Sequence, residues 1–592
     1  MKLVLPLLLL FVLAGCLFFA GLGSLPLLEP DEGRNAEVAR EMLASGDWAT
    51  PHYDGLPYLD KPPVFFWLVA SSFKLAGLHE WAARAPSALM GLCLLLLSWF
   101  LTRRMFGDST AARAGVIIAT APLAIVFSRL VIFDMTFAFF VTLAMLSFWF
   151  AEAAEFRRPG LDVLIFLAIG LAAITKGPVG FLLPLLSIAI YQALRGKLRE
   201  LKRLRWGLGC AVFLATVLPW FISVSIRHPD FPRYALLEES LARFSGGLVH
   251  RKGGLLYYVP VYLVGFFPWS IFLLWVGWSR HKRWREFRDS SFSPSLYLLT
   301  WSAVTFAFFS LSQSQLPGYF LPAIVPLGIL MAKAWDEVAS QGSTRPPDWL
   351  TAGCASLLGA GLIVAACSQL ALFSSAHSQL ARKLYPAVFA LLKPSILYTG
   401  LILAALAVVE RNIAARARRT PLSVATLALL ALTSPALLAR WIGPLRAYAE
   451  SNSSRRLANT ILSSPERDLP ICGYYYFRTS LPFYLRRPVG LVTTNGNELT
   501  SNYVAWRVSE IRHGTSQGTA GEVLPRTFTG LDPLPVDQRG LLDVLEFIDL
   551  TRSSPLPRLI LVRNSHVSLL AHDVDRVEPM WTGWGFSVWK IP

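Results

Sequence analysis

The chain is 592 residues long, 54% hydrophobic and 16% charged, with a formal net charge of +17 and a mean hydropathy of +0.48. Soluble domains carry about a quarter charged residues, so an ordinary soluble enzyme is excluded and a polytopic membrane protein is implied. The apolar runs are continuous rather than alternating, which selects helices over a barrel. The positive charge lies in short loops between runs, with no recognition module beside it, which excludes nucleic acid as a partner.

In chain order, about thirteen membrane-spanning helices are expected, near residues 4–23, 85–104, 111–127, 134–151, 162–176, 177–194, 206–224, 256–278, 295–311, 317–334, 350–371, 390–409 and 421–440. "LAGC" (Leu13–Cys16) looks like a lipoprotein cleavage box, but the apolar run continues past the cysteine through "LFFAGLG". The first segment therefore reads as an uncleaved span. Basic residues crowd into Arg103, Arg104 and Arg113, then "RGKLRELKRLR" (195–205), "RHKRWREFR" (280–288) and "RNIAARARR" (411–419). The positive-inside rule places these loops and the N-terminus in the cytoplasm. Residues 24–84, 128–133, 225–255, 312–316 and 372–389, with Lys176 and Gly177, then face outward, as does everything after about residue 441.

The outward stretch 24–84 differs in kind. It is slightly acidic and holds two weakly amphipathic segments, 34–45 and 63–76, separated by the turn residues of "DGLPYLDKPP"; both segments are expected to lie on the membrane surface. From 441 to 592 charge, Ser, Asn and Pro rise. "ICGYYYF" (471–477) and "RLILVRN" (558–564) read as strands, and 445–463 and 540–550 as helices. The expected plan is all-α membrane architecture over 1–440, including the 24–84 loop, followed by a small extracytoplasmic α/β domain over 441–592. Of six cysteines, only Cys472 lies in this polar part, and no CxxC occurs, so neither a disulfide framework nor a thiolate metal site is supported.

The outward loops bring together Asp31, Glu32, Arg34, Asp60, Lys61, Asp134, Lys176, Glu238, Glu239, Arg243, His250 and Tyr319. Group transfer from a lipid phosphate needs cations to hold the phosphate as it leaves. It also needs a carboxylate to accept or orient the acceptor's proton. Both types are present at headgroup depth, though composition and spacing do not name the reaction. Structural counterparts stand beside each residue. Asp31 after Pro30 fits a helix N-cap, and Glu32 complements a helix N-terminus. Arg34, Arg40 and Glu41 fit ion pairs on a helix face. Lys61 and Lys176 fit interfacial anchors, Arg243 a loop cation, and Tyr319 an aromatic belt. Asp134 opens an apolar run, where a buried carboxylate is costly and functional by default. A divalent metal bridging His250 and nearby carboxylates stays open, although no HExxH or other ligand spacing supports one.

"EPDEGRNAEVAREMLASGDWATPHYDGLPYLDKPPVFFWLVA" (29–70) resembles the first outer loop of the ArnT-like aminoarabinose (4-amino-4-deoxy-L-arabinose) transferases, relatives of the protein O-mannosyltransferases. "TKGP" (175–178), "RFSGG…H" (243–250), "PW" (268–269) and "LPGYFLP" (316–322) follow in the family's order, and the resemblance covers about 24–330. It implies a GT-C glycosyltransferase of the bacterial inner membrane that needs no cofactor. Such an enzyme takes sugar from a polyprenyl phosphate donor, usually with inversion, and passes it to a lipid or glycan acceptor such as lipid A. By the same resemblance Asp31 is catalytic, with Glu32 and Asp134 beside it. Lys61, Arg243 and Tyr319, with Lys176, hold the donor phosphate, and Arg34 and His250 contact substrate. Gln315 stands where the family often has lysine before "LPxY", which bears on the acceptor more than on donor chemistry.

Two other readings compete. A protein O-mannosyltransferase shares the "DE" loop and would act on a Ser or Thr hydroxyl. A transporter or flippase predicts charges at mid-span and paired repeats, whereas these charges cluster at one face. An oligosaccharyltransferase would carry a "WWD"-type motif, which the sequence lacks.

Overall fold

The computed structural model describes residues 4–242, 254–280, 294–340, 348–369, 386–416, 422–516, 541–553, 557–574, 576–583 and 585–591. The chain divides into two compact units. One comprises Met1–Leu22, Arg84–Ser375 and Ala390–Pro444; the other comprises Gly23–Ala83, Ala376–Phe389 and Leu445–Pro592. The outer loop, grouped with the membrane helices in the sequence reading, thus falls in the same unit as the C-terminal residues.

The first unit is helical. Among the described residues seven helical stretches are long and apolar enough to cross a membrane: Glu80–Phe106, Asp134–Ala153, Pro159–Lys176, Trp206–Arg227, Pro294–Leu311, Pro317–Glu337 and Leu427–Ser451. Tyr258–Gly265 and Trp269–Trp278, bent by 112° at the break between them, make an eighth if counted as one. Every one of the thirteen expected segments overlaps helix, but several are shorter than the roughly 20 residues a straight span requires. The expected span 111–127 is two helices, Asp108–Ala119 and Pro122–Phe127. Pro122 lacks the N–H that would continue the first helix and sits instead in the first turn of the second.

Three carboxylates in this unit sit near helix ends and are paired. Glu152, near the C-terminus of Asp134–Ala153, pairs with Arg195 and accepts from the Gln192 amide at 2.7 Å. Asp162 pairs with Arg205 at 2.9 Å, and Asp336 pairs with Arg113. Asp134 opens the helix that Glu152 nearly closes, so the two carboxylates lie about 27 Å apart along its axis.

The second unit is α/β. The helices Asp31–Ser45 and Val64–Ala76 are joined by a hairpin, β1 (His52–Tyr53) with β2 (Leu56–Pro57). Its two-residue turn is Asp54–Gly55, with φ of 56° and 78°; Asp-Gly is the pairing that such a left-handed turn favours. The C-terminal part forms a six-stranded sheet in the order β5-β4-β3-β6-β8-β7. Its strands are β3 (Ile471–Tyr474), β4 (Gly490–Val492), β5 (Leu541–Leu542), β6 (Arg558–Arg563), β7 (Glu578–Thr582) and β8 (Phe586–Ile591). β3 to β6 pair in parallel, and β8 and β7 add antiparallel at one side. Tyr474, Val492, Leu542, Ile560 and Val562 meet Phe547 and Leu550 of the helix Val544–Ser553 in the core.

One expectation is corrected here. The 34–45 segment is not a surface amphipath: its helix, Asp31–Ser45, is buried on nearly every side, from Glu32 to Met42. Its charges are satisfied inside the protein. Arg40 makes two 2.7 Å bonds to Glu37, and Glu41 accepts the Asp54 and Gly55 amides at 2.6 and 3.0 Å. A helix polar by composition can be enclosed when each buried charge finds partners.

Candidate active site

In the first unit three expected residues converge. Lys176 is the last residue of Pro159–Lys176, and Asp134 the first of Asp134–Ala153. They form an ion pair whose side chains are 6% and 5% exposed. The Lys176 ammonium also sits 3.8 Å from the centroid of the Tyr319 ring and 4.9 Å from that of Phe137. A cation over aromatic faces in a desolvated site is held by the ring quadrupoles as well as by its counter-ion. Gly318 makes room for this cluster, because a Cβ there would lie 2.8 Å from Asp134 Cγ and 2.5 Å from Phe127 Cε1. Tyr258 donates to the Leu316 carbonyl at 3.1 Å and fixes the turn that presents Tyr319. Gln315 is buried, and its amide donates to the Ser310 carbonyl at 3.2 Å, near the C-terminus of Pro294–Leu311.

In the second unit Asp31 opens its helix after Pro30, and with Glu32 it places two acids in the first turn, where the helix dipole favours them. Asp31 Oδ1 pairs with Arg34 Nη2 at 2.5 Å, yet the aspartate side chain remains 43% exposed. Arg34 is buried. Its Nη1 donates to the Thr500 carbonyl and hydroxyl at 3.0 and 2.9 Å, and its guanidinium lies 5.6 Å from the Tyr58 ring centroid. Burial alone would pull the Arg34 guanidinium down; Tyr58, Asp31, Asp60 and Tyr53 together outweigh it, so it is held above its ordinary value and stays a cation. Glu32 turns inward, 1% exposed, and accepts the Leu28 amide at 3.0 Å.

Lys61 donates to the Asp60 carbonyl at 2.8 Å. The Asp60 side chain accepts from the amides of Asn502 and Tyr503, each at 2.7 Å. Glu29, two residues before Asp31, pairs with Arg478 at 3.1 Å and accepts the hydroxyls of Ser454 and Ser480 at 2.6 and 2.7 Å. Gly33 lets the helix backbone press against Ser480, since a Cβ there would lie within 2.7 Å of that residue's main chain.

Of the residues expected from sequence, Asp134, Lys176 and Tyr319 meet in one unit. Asp31, Glu32, Arg34 and Lys61 share one loop of the other. Arg243 and His250 lie outside the described residues. The anchors Thr500, Asn502, Tyr503, Arg478, Ser454 and Ser480 were not found by sequence reasoning. Each lies more than 400 residues from its partner in the loop, and the one local signal, polar residues flanking strand ends, is shared with any α/β domain. Among the described residues no group of three His, Cys, Asp or Glu side chains is arranged to hold a metal ion.

Comparison with known proteins agrees with this architecture. The family model for dolichyl-phosphate-mannose-protein mannosyltransferase matches residues 3–235. An undecaprenyl phosphate-alpha-4-amino-4-deoxy-L-arabinose arabinosyl transferase of Pseudomonas fluorescens is 33% identical over 346 residues, 57% of this chain and 61% of the relative. Its counterpart in Pseudomonas aeruginosa is 31% identical over 383 residues, 64% of this chain and 66% of the relative. The chain thus spans less than two thirds of the length of these curated relatives. The crystal structure of ArnT from Cupriavidus metallidurans bound to undecaprenyl phosphate superposes with a TM-score of 0.80 at 27% identity. That match covers 99% of this chain and 98% of ArnT.

A bundle of apolar helices with an acid–lysine–tyrosine cluster at helix ends, together with an α/β unit, defines a membrane protein of the GT-C glycosyltransferase fold. More narrowly, the chain is similar to the ArnT-like transferases over nearly its whole length and to the protein O-mannosyltransferases over residues 3–235.

Proposed function

We propose that this protein is an integral-membrane glycosyltransferase. It moves a sugar from a polyprenyl phosphate, undecaprenyl phosphate by analogy with its relatives, to an envelope acceptor such as lipid A or another lipid or glycan. The observation that carries the reading is the half-exposed Asp31 carboxylate, fixed by Arg34 at the head of a buried helix whose loop also supplies Lys61.

The step is a direct displacement. An acceptor oxygen attacks the anomeric carbon while that carbon's bond to the phosphate oxygen breaks. The electron pair departs with the polyprenyl phosphate, and a hydroxyl acceptor gives its proton to Asp31. Inversion follows from a single displacement. The developing phosphate charge is met by Lys61, with Arg243, Tyr319 and Lys176 assigned to the same phosphate by family resemblance and Arg34 and His250 to substrate contact. Glu32 and Asp134 join the acid set on the same ground. The donor already carries a good leaving group, so a general acid of the glycosidase kind is not needed.

The site faces away from the cytoplasm in this reading. Asp134, paired with Lys176, and Glu152, paired with Arg195, lie at opposite ends of the helix Asp134–Ala153, and Arg195 opens the strongly basic 195–205 stretch that the positive-inside rule assigns to the cytoplasm of an inner membrane.

Asp31→Asn tests the reading. Transfer from undecaprenyl phosphate-linked sugar is expected to be lost while insertion and thermal stability are kept; near-normal transfer by that variant removes Asp31 from the mechanism. A second reading, transfer to a protein Ser or Thr, is favoured by the mannosyltransferase family match over residues 3–235. Mass spectrometry of lipids and proteins from cells with and without the chain separates the two.

A further inference from the structure

The loop that carries Asp31 and Lys61 meets one short turn of the C-terminal domain twice. That turn, Thr500–Tyr503, runs from the end of a short 3-10 turn, Asn497–Leu499, into the first two residues of the helix Asn502–Ser516. Thr500 is in the left-handed region, with φ of 56°. This conformation turns the chain so that its carbonyl and hydroxyl both receive Arg34 Nη1. Two residues on, the first amides of the helix point at the Asp60 carboxylate. Helix N-termini leave such amides without intrahelical partners, and a carboxylate is the strongest acceptor that can take them. The Ser501 hydroxyl, at 3.5 Å from Asp60 Oδ1, lies beside the same contact.

The two contacts end on different charges of the loop. Arg34 passes from Thr500 to Asp31 through a 2.5 Å pair. Asp60 passes from Asn502 and Tyr503 to Lys61, whose ammonium donates to the Asp60 carbonyl. Asp60 is 4% exposed and Arg34 9% exposed, so each connection runs through a buried side chain.

We propose that the Thr500–Tyr503 turn is a positioning element for the reaction: it sets the Asp31 carboxylate through Arg34 and the Lys61 ammonium through Asp60. The C-terminal domain then acts on catalysis by orienting the acid and the cation, without touching substrate itself. This rests on the glycosyltransferase reading above, in which Lys61 holds the donor phosphate and Asp31 handles the acceptor.

The two arms predict opposite kinetic signatures, tested on the purified full chain in nanodiscs. Asn502→Pro removes one amide from Asp60 at the first helical position, where proline is tolerated. It is expected to weaken binding of undecaprenyl phosphate alone by about tenfold, the scale of a lost hydrogen bond to a charged group. Lys61→Ala is expected to weaken the same binding at least as much. In the Lys61→Ala background Asn502→Pro is expected to change the affinity by less than about twofold, because its effect passes through Lys61. Thr500→Ala, which removes one acceptor from Arg34, is expected to lower kcat by about tenfold with donor KM unchanged, and Thr500→Ser to recover it.

An equal loss from Asn502→Pro in both backgrounds marks general loosening and overturns the proposal. So does full affinity in the Asn502→Pro single variant. A Thr500→Ala effect on KM alone overturns the Asp31 arm. If Lys61→Ala itself leaves undecaprenyl phosphate binding unchanged, the phosphate role of Lys61 fails and the positioning proposal falls with it, an outcome distinct from a failure of Asn502→Pro alone.

Discussion

Removing one member of the Asp134–Lys176 pair is the sharpest test of what the membrane unit holds. Both side chains are about 5% exposed, and the ammonium is also stacked against Tyr319. Lys176→Met keeps the length and apolar stem of the side chain and removes the charge, so the Asp134 carboxylate stays buried without its counter-ion. Breaking a buried pair in this way costs about 3–5 kcal/mol, and losing the desolvated contact with the ring adds up to about 2 kcal/mol. Asp134→Asn strands the lysine instead, with a cost on the same scale. The double variant removes both charges, and replacing a buried pair by neutral groups is near neutral or stabilising by about 1–4 kcal/mol. A coupling energy of roughly 3 kcal/mol or more is therefore expected from the cycle. SDS-titrated unfolding of the reconstituted protein reads stability, and transfer from undecaprenyl phosphate-linked sugar reads function. The double variant is expected to regain stability and to remain inactive. Single variants that each cost less than about 1 kcal/mol, or a double variant as unstable as their sum, would refute the buried-pair account. Recovered transfer in the double variant would leave the pair with a structural role only.

Three further outcomes follow from the packing. Burial first, then the neighbouring Glu37 charge, pushes the Glu41 carboxyl up to about 8, and Asp54 is also raised, by burial first, against Glu41 and Glu37 and despite Arg40 and the Val489 amide. The folded protein then keeps protons that the unfolded chain releases above about pH 4.5. The contribution is fully present below that value and is lost as pH rises through 8, with a slope approaching 1.4 kcal/mol per pH unit for each proton retained; a flat melting temperature between pH 5 and 9 contradicts this. Gly318→Ala drives a methyl into Asp134 and Phe127 and is expected to cost about 1–3 kcal/mol and to reduce transfer, with Gly318→Ser no better. Glu29→Ala takes the carboxylate away from Arg478, Ser454 and Ser480. It is expected to cost about 3–5 kcal/mol, seen as faster hydrogen exchange over 454–480; unchanged protection there would contradict the anchor.

The elements with local causes were legible in the sequence. Continuous apolarity located the helices, the turn residues of "DGLPYLDKPP" marked a break between two helices though not the hairpin within it, and strands at 471–477 and 558–564 stood out by β-branched and aromatic content. The span count was less legible. Hydropathy does not show where Pro122 splits a helix or where the chain bends between Gly265 and Trp269. The helix Asp31–Ser45 misled in another way: its weak amphipathicity read as a helix on the membrane surface because the partners that enclose its charged residues, Thr500 for Arg34 and the Asp54 and Gly55 amides for Glu41, are set by tertiary contacts. The loop motif singled out Asp31, Glu32, Arg34 and Lys61, whereas their anchors, which are long-range hydrogen bonds, left no periodic trace.

The loop's dependence on the C-terminal residues has a physical origin in its size. A segment of about sixty residues buries too small a fraction of its surface to be stable with ease on its own. This one also spends its helix on charge, with six ionisable residues from Asp31 to Glu41. Ordering such a segment costs about 1–2 kcal/mol per residue in backbone entropy alone. The offset comes from elsewhere in the unit: Tyr53 donates to the Thr479 carbonyl, Thr479 donates to the Pro30 carbonyl, Asp54 accepts the Val489 amide, and Glu29 and Asp60 hold two more points. Each tie ends within a few residues of Asp31 or Lys61, or in the turn between them. In the proposed reaction, an acid and a cation that meet a lipid donor gain most when they are fixed before it arrives. A loop too small and too polar to fix itself meets that requirement only by folding as part of the larger α/β unit.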